Sequence, residues 1–428
     1  MNAFDKVIGY DAIKKEMIRF ADVLKNTEKY KKLGVTLPSG ILLSGDPGLG
    51  KTLMAKCFIE ESGCKSITLR KDKSNGYFVD EIKKTYESAK EMAPCVVFLD
   101  DMDKFANEDY AHRDAEEYVT VQACIDEYKE YGVFTLATVN EKYCLPDSLL
   151  RVGRFDETID VENPRGEDAV KIIEYYLGQK NTMEDIDVLE ISRLMAGKSC
   201  AELETVINKA GVYAGFDGRD KINQNDIVNV WMRMEFNSPE CVNTSGLQNN
   251  RAIAIHEAGH AVVHEILDPG SVTIVSICRH NGQTCGITKW FHDEDWYLYK
   301  KLIEHSIIGS LAGKAATEIV LGETDIGCDT DIRKARDMIE NLIVDTCSLG
   351  FNSLMQGDPS QYSLENRDRL VASEMERYYR LAKKMIIDNR EFLDGMIDTL
   401  MEHNTVTYRE MQIFRERYND AFLGMQNI

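Results

Sequence analysis

The sequence predicts an α/β domain with a parallel sheet and helices on both faces, then a small helical domain, then a larger, mainly helical domain. Residues 1–166 alternate short β-branched runs with amphipathic stretches, a pattern typical of parallel sheets that bind ligands beyond the carboxyl ends of their strands. Residues 167–236 contain little strand signal. The polar stretch 237–250 is rich in Asn and Ser, which is typical of a linker, and most of 251–428 is again helical in pattern.

Short apolar runs with β-branched residues predict the strands of the first region. They are Ile41–Leu43, Ile67–Leu69, Val96–Leu99 and Val133–Thr138. Helical patterns in the small helical domain cover Gly166–Tyr176, Cys200–Tyr213 and Asn225–Met234. In the last region, Val272–Cys278 and Cys285–Phe291 flank an Asn-Gly turn at 280–282, which predicts one hairpin.

Composition excludes several classes of function. The 428 residues include 72 acidic and 51 basic side chains, so the formal net charge is -21. Because such a chain repels phosphate backbones and anionic lipids, nucleic acid and membrane surfaces are not expected partners. No stretch approaches twenty uninterrupted apolar residues, so a membrane tether is not expected in this chain. Eleven cysteines without a C-x-x-C pair, and no signal-like start, favour a cytoplasmic location with buried free thiols.

A glycine-rich loop follows the first predicted strand and precedes a helix. Its pattern is G-x-x-x-x-G-K-T, in which glycines let backbone N–H groups face phosphates at a helix amino terminus. Lys51 is predicted to reach the β- and γ-phosphates of ATP, and Thr52 to bind Mg²⁺. A glycine-rich turn without a ligand is the alternative. The predicted nucleotide-binding residues here are Gly45, Asp46, Pro47, Gly48, Leu49, Gly50, Lys51, Thr52 and Leu53.

Polar residues that follow later strands complete this predicted site. Asp100 is expected to hold Mg²⁺, and Asp101 to polarise the attacking water. Asn140 could hold the water or the γ-phosphate, and Arg151 and Arg154 suit charge that develops on a transferred phosphoryl group. The alternatives are a helix-capping role for the acids and a salt-bridged surface for the arginines.

A second motif lies on the helix predicted at 250–267. His256 and His260 are four residues apart and share one helix face, so both imidazoles can reach one Zn²⁺ ion. Glu257 is positioned to take a proton from water activated by that ion. A third ligand is required, and Asp325, Asp329 and Asp331 are all candidates, with helix capping as the alternative for each. His264 lies off the line of the pair and is predicted to be structural.

The order of these features resembles the FtsH-type AAA metalloproteases over nearly the whole chain, from about Phe4. The opening FDKVIGYDAIKKEM, the segment LLRVGRFD and Leu311–Ala316 also resemble this family. The resemblance implies an AAA ATPase α/β subdomain at 1–166, a helical lid at 167–236, a linker at 237–250 and a mainly helical zinc-peptidase domain at 251–428.

The resemblance also implies roles for individual residues. Ile8 and Gly9 would flank the adenine, and Asp331 would be the third zinc ligand. Arg151 and Arg154 would reach the nucleotide of the neighbouring subunit. The strand Cys285–Trp290 would bind polypeptide substrates by β-augmentation. The implied enzyme is an ATP-dependent zinc metalloendopeptidase with ATPase activity, a homohexameric ring that unfolds and degrades proteins.

The sequence departs from this family at several points. It begins at the ATPase module, so we expect a form without the family's membrane-spanning segments. Asp101 stands where the family has Glu, and Ser74–Gly76, followed by Tyr77 and Phe78, replaces the aromatic pore loop. Leu49 and Cys200 are also atypical. These departures leave two alternatives, a zinc peptidase whose AAA module binds nucleotide for assembly but hydrolyses it poorly, and a non-proteolytic AAA remodeller.

Overall fold

The computed structural model describes most of the chain. The described residues are 2–36, 38–71, 77–108, 115–183, 185–237, 247–280, 284–291, 299–323, 326–350 and 360–418. No helix in this part of the chain is both long and apolar enough to cross a membrane. The predicted turn at 281–282, the stretch Ser74–Gly76, the candidate Asp325 and most of the predicted linker lie outside the described residues.

Helices and strands alternate in the first half, and helices dominate the second. The helices are α1 (Asp11–Lys25), α2 (Thr27–Lys32), α3 (Lys51–Ser62), α4 (Phe78–Glu91), α5 (Ala115–Tyr128), α6 (Gly166–Leu177), α7 (Val188–Leu194), α8 (Cys200–Phe216), α9 (Gln224–Phe236), α10 (Leu247–Leu267), α11 (Lys300–Leu321), α12 (Asp329–Val344), α13 (Gln361–Asp388), α14 (Arg390–His403) and α15 (Tyr408–Arg417). The strands are β1 (Gly40–Ser44), β2 (Lys65–Leu69), β3 (Cys95–Leu99), β4 (Val133–Val139), β5 (Glu157–Asp160), β6 (Val272–His280), β7 (Thr284–Trp290) and β8 (Thr405–Thr407).

The chain divides into two compact units. The first unit consists of Met1–Glu184 and Met195–Ile222, and the second of Asp185–Leu194 and Asn223–Ile428. The region 167–236 is therefore shared, since α6 and α8 belong to the first unit whereas α7 and α9 belong to the second.

A five-stranded parallel sheet forms the centre of the first unit, in the order β2-β3-β4-β1-β5. Successive side chains of β4 point to opposite faces of the sheet, and those on each face pack against helices. Phe134 stacks on Phe58 of α3 with ring centroids 5.7 Å apart, whereas Val133 joins the core beneath α4 and α5. The predicted parallel sheet with helices on both faces is confirmed. Strand β5 was not predicted, because its sequence Glu-Thr-Ile-Asp has one apolar residue.

The second unit is mainly helical, as predicted, with a small antiparallel sheet in the order β7-β6-β8. The predicted strand pair is confirmed as β6 and β7. Strand β8 adds a third strand that was not predicted, because its three residues are too few to give a sequence signal. Helices α10 and α11 pack closely at small residues. A Cβ added to Gly259 of α10 would lie 2.6 Å from the Cβ of Ala316, so glycine is required at this crossing.

The cysteines follow the sequence prediction in part. Cys57, Cys95, Cys124 and Cys328 are buried free thiols, as expected of small apolar side chains. Cys278 in β6 is disulfide-bonded, which corrects the prediction of free thiols at this position.

Candidate metal centre and nucleotide site

The predicted phosphate loop links β1 to α3 in the first unit. Gly45, Gly48 and Gly50 have φ values of 148°, 83° and 86°, which lie in the region that favours glycine. A Cβ at Gly45 would lie 2.0 Å from the carbonyl oxygen of Val161, so no other residue fits there. The loop leads into the amino terminus of α3, where unpaired backbone N–H groups can bind anions. Leu49 is buried, while Asp46, Pro47 and Leu53 are exposed.

Lys51 lies in this loop with its ammonium group surrounded by oxygen atoms. Its Nζ donates to the carbonyl oxygens of Gly45 at 2.6 Å and Asp46 at 2.7 Å, and to Oδ1 of Asn140 at 3.1 Å. Burial lowers the pKa of Lys51, and the nearby carboxylates of Asp101 and Asp103 oppose that effect. The structure therefore brings together Lys51 and Asn140, which were predicted separately to contact the phosphates.

The two predicted magnesium-binding residues are also adjacent. Oγ1 of Thr52 donates to Oδ1 of Asp100 at 3.0 Å, and Oγ1 of Thr138 donates to the same oxygen at 3.0 Å. Asp100 is buried at the end of β3. Hydroxyl and carboxylate oxygens beside a phosphate loop are the ligands that Mg²⁺ prefers, so these residues fit the ion.

Asp101 is held by contacts that the sequence did not predict. Its backbone is left-handed (φ 54°), and its N–H donates to Oγ1 of Thr138 at 3.0 Å. Its Oδ2 lies 2.6 Å from Nζ of Lys104 and 3.5 Å from Nη2 of Arg70. Asp103 lies nearby and accepts from Nδ2 of Asn140 at 3.3 Å. Lys104 follows Asp101 by three residues, which is the only sequence signal for this ion pair.

The residues predicted to flank adenine lie beside the starts of α6 and α8. Gly9 has φ 69°, and a Cβ there would lie 3.3 Å from Asp168. The next residue, Tyr10, donates its N–H to Oδ1 of Asp168 at 2.9 Å, and its hydroxyl lies 3.5 Å from Sγ of Cys200. Ile8 is half-buried. Tyr10, which follows the predicted adenine-flanking residues, therefore contacts Cys200, a residue that is atypical of the family.

The two predicted arginines have different surroundings. Arg154 forms an ion pair with Asp126 of α5, with Nη2 and Oδ2 2.7 Å apart, and also donates to the carbonyl oxygen of Ser148. Arg151 is exposed. The structure therefore ties Arg154 to its own subunit and leaves Arg151 on the surface.

In the second unit, residues 75 positions apart converge on one point. Helix α10 carries His256 and His260, whose Nε2 atoms are 3.0 Å apart. Helix α12 carries Asp331, whose Oδ2 lies 3.3 Å from Nε2 of His256 and 3.4 Å from Nε2 of His260. All three ligand atoms lie within 4.8 Å of one another. Asp329 instead pairs with Arg333.

The donor set fits a zinc ion. Nδ1 of His260 lies 2.7 Å from the carbonyl oxygen of Gly309, so this nitrogen donates and Nε2 presents a lone pair. Burial raises the pKa of Asp331, but its hydrogen bonds to His256 and His260 outweigh burial and hold the pKa well below its usual range. Two imidazoles and one carboxylate, with a fourth position open, are typical of catalytic zinc.

Helix α11 shapes the space around the two imidazoles. A Cβ added to Gly313 would lie 2.5 Å from Nε2 of His260 and 2.7 Å from Nε2 of His256. A Cβ added to Gly309 would overlap His264, which also stacks on Trp290 with ring centroids 3.8 Å apart. The sequence signal for this packing is the pair of glycines four residues apart, which leaves one helix face without side chains.

Glu257 lies between the metal ligands and the edge strand β7. Oγ1 of Thr288 donates to its Oε2 at 2.8 Å, and a Cβ at Gly286 would lie 2.5 Å from its Oε1. Burial raises the pKa of Glu257, against the opposing effect of His256 and His260. A carboxylate whose pKa is raised binds a proton more readily than a free carboxylate does, which suits a group that accepts a proton from water. Gly286 and Thr288 were not predicted, because no pattern links them to Glu257.

Comparisons with known proteins agree with this geometry. Residues 41–163 match the family described as "ATPase family associated with various cellular activities (AAA)", and residues 244–414 match "Peptidase family M41". The first match contains the phosphate loop, and the second contains all three metal-ligand candidates.

Relatives align along nearly the whole chain. The ATP-dependent zinc metalloprotease FtsH 2 of Thermoanaerobacter sp. is 28% identical over 97% of this chain and 83% of its own length. The FtsH proteins of Thermus thermophilus and Thermotoga maritima are 27% and 29% identical over 96% of this chain, covering 70% and 72% of their own lengths. An AAA ATPase module followed by an M41 peptidase module, with FtsH relatives aligned over nearly the whole chain, supports an FtsH-type AAA zinc metalloprotease.

Proposed function

We propose that the chain is an ATP-dependent zinc endopeptidase that unfolds and degrades polypeptides in a homohexameric ring. The observation that carries this proposal is the convergence of His256, His260 and Asp331 within 4.8 Å, beside Glu257, on a chain that also has a phosphate loop. The proposed modules are the ATPase subdomain (1–166), the lid (167–236), the linker (237–250) and the protease domain (251–428).

Peptide cleavage needs a metal, a base and a bound backbone. A zinc ion on His256, His260 and Asp331 would activate water and polarise the scissile carbonyl. Glu257 takes the proton of the attacking water and returns it to the leaving amine. Its raised pKa suits this transfer, and the Thr288 hydroxyl, 2.8 Å from Oε2, fixes the orientation of the carboxylate.

Strand β7 offers a backbone template for the substrate. It pairs with β6 on one side and is the edge of the three-stranded sheet in the described part of the chain. An extended polypeptide that pairs with its free edge would lie next to Glu257, because Gly286 and Thr288 contact that residue. Recognition through backbone hydrogen bonds favours broad sequence specificity.

ATP hydrolysis would drive substrate unfolding. Gly45–Thr52 and Lys51 hold the phosphates, Thr52 and Asp100 hold Mg²⁺, and Ile8 and Gly9 contact the adenine. Exposed Arg151 is available to a neighbouring subunit, which supports assembly into a ring. Arg154 would reach that neighbour only after releasing Asp126, which lies 2.7 Å away.

Degradation of unfolded casein tests this function. Cleavage should require ATP, stop with a zinc chelator, and fall by at least about 100-fold in Glu257→Gln, since loss of a general base removes about 10² to 10⁴ in rate. Phosphate release should remain. The matched control is Glu391→Gln, at an exposed position of α14. Undiminished cleavage by Glu257→Gln contradicts the proposal.

The arrangement of Asp101 favours one alternative, a zinc peptidase whose AAA module binds nucleotide for assembly but hydrolyses it poorly. The carboxylate expected to polarise water already contacts Lys104 at 2.6 Å and Arg70 at 3.5 Å. Phosphate release separates the two functions. A turnover typical of ATPases that collapses in Asp100→Asn excludes the alternative.

A further inference from the structure

Three acids follow β3, and each has a different set of partners. Asp100 accepts from Thr52 and Thr138, both at 3.0 Å, and its Oδ2 lies 3.5 Å from Nη1 of Arg70. Asp101 faces the cations of Lys104 and Arg70. Asp103 accepts from Nδ2 of Asn140 at 3.3 Å. The first set fits a metal ligand, the second a closed ion pair, and the third a carboxylate joined to the phosphate-binding residues.

Asp101 is poorly arranged to orient a water molecule. Its Oδ2 lies 2.6 Å from Nζ of Lys104, so a water molecule at that oxygen would share it with a cation. Its backbone is fixed in the left-handed region by the N–H bond to Thr138 at 3.0 Å. The backbone of Asp101 is therefore anchored to the end of β4, and its side chain is paired with cations rather than directed by a phosphate-binding residue.

Asp103 shows the opposite condition. Within the described part of the chain, its Oδ1 is buried and has no hydrogen-bond partner. Buried polar atoms are nearly always satisfied, so such an oxygen marks a place for a water molecule or a ligand donor. Its Oδ2 connects through Asn140 to Lys51, since Oδ1 of Asn140 accepts from Nζ of Lys51 at 3.1 Å. Two hydrogen bonds thus link Asp103 to the ammonium group that meets the γ-phosphate.

We propose that Asp103, rather than Asp101, orients the attacking water and takes its proton in ATP hydrolysis. This inference rests on the proposed ATPase function. The water oxygen attacks the γ-phosphorus while its proton passes to Oδ1 of Asp103. The bond from the γ-phosphorus to the β,γ-bridging oxygen breaks, and ADP keeps the electron pair. Asp103 then releases the proton to solvent with the phosphate.

Matched variants of the two acids provide the test, with phosphate release and binding of a fluorescent ATP analogue as readouts. Asp103→Asn keeps the shape of the side chain and should lower kcat by at least about 100-fold, within the range for loss of a general base, with affinity for the analogue changed less than about threefold. Asp103→Glu keeps a carboxylate and should retain at least about tenfold more turnover than Asp103→Asn. Asp101→Asn should lower kcat at least about tenfold less than Asp103→Asn does, and Lys104→Met should change kcat by less than about threefold.

A loss confined to Asp101→Asn assigns the water to Asp101 and overturns the inference. So does equal loss of turnover and analogue binding in both Asp103 variants, which indicates a structural role. Lys51→Ala removes the ammonium group that meets the γ-phosphate, and so distinguishes failure of this inference from failure of the proposed ATPase function. If it abolishes turnover while Asp103→Asn does not, only this inference fails. If the unaltered chain releases no phosphate, the proposed ATPase function and this inference fail together.

Discussion

The nucleotide site and the metal centre are built in opposite ways. The phosphate loop is contiguous in sequence, and its shape follows from glycines with φ values of 83° to 148° and from a lysine held by loop carbonyls. The metal centre takes ligands from two helices, and its imidazoles lie against a third helix at Gly313. A local motif determines its own geometry, whereas a distributed site depends on the packing of the core around it.

The two sites also differ in how their charges are compensated. Around the phosphate loop, Lys51, Lys104 and Arg70 face Asp100, Asp101 and Asp103, so charges of opposite sign balance within one cluster. In the metal centre the half-buried carboxylate of Asp331 lies against two buried imidazoles, and the nearest cation, Nζ of Lys334, is 3.9 Å from its Oδ1. The metal centre should therefore depend strongly on its ion, and the nucleotide site should keep its shape without a ligand.

The largest expected effect tests whether the distributed site needs its distant ligand. Asp331→Asn removes the charged oxygen that both histidines contact. Zinc content should fall from about one per chain to below about 0.2, and peptide cleavage by at least about 100-fold, because a neutral amide binds zinc poorly. Elemental analysis and casein cleavage measure this. Asp329→Asn, two residues earlier on α12, is the control and should keep its zinc. Full zinc occupancy in Asp331→Asn would show that residue 331 is not a ligand.

The next effect compares two helical glycines. Gly313→Ala places a Cβ 2.5 Å from Nε2 of His260, so overpacking should lower the free energy of unfolding by about 1 to 3 kcal/mol and weaken zinc binding more than about tenfold. Gly215→Ala in α8 meets open space and should raise stability by up to about 1 kcal/mol. Calorimetry and zinc competition with a chelator measure both. Equal responses of the two variants would contradict the role assigned to close packing.

This contrast explains how much the sequence could predict. His256 and His260 share a helix face by spacing alone, and the phosphate loop is a continuous pattern. Spacing left Asp331 among three candidates, and only the resemblance selected it, because a contact over 75 residues depends on how α10, α11 and α12 pack. The short strands β5 and β8 have too few residues for a periodic signal. The contact of Thr288 with Glu257 was missed because it depends on the register of β7.

A smaller effect should separate the two arginines of the nucleotide unit. Arg154→Ala breaks the contact with Asp126 and the bond to the Ser148 carbonyl, so it should destabilise the isolated chain by about 1 kcal/mol. Arg151→Ala, at an exposed position, should change stability by less than about 0.5 kcal/mol. At protein concentrations at which subunits assemble, Arg151→Ala should instead reduce ATP turnover. Chemical unfolding and phosphate release at several protein concentrations measure these effects. Destabilisation by Arg151→Ala alone would reverse the assignment.

The smallest effect concerns surface charge on α11, the helix whose inner face packs on the imidazoles. Hydrogen bonds from Lys383 and Tyr379 lower the pKa of Glu318 from its ordinary value of 4.5 to about 2. A carboxyl with a lower pKa in the folded state stabilises it above the unfolded pKa, and this stabilisation is lost as pH falls toward 2. The side chain is 34% exposed, so solvent screening should limit the contribution to about 1 kcal/mol.

Glu318→Gln should therefore be less stable than the unaltered chain at pH 7, and this difference should shrink progressively below about pH 4.5. Urea unfolding between pH 7 and 3.5 measures it, with exposed Glu391→Gln as the control. A constant difference across that range would mean that Glu318 acts through packing, like Gly313 on the inner face of the same helix.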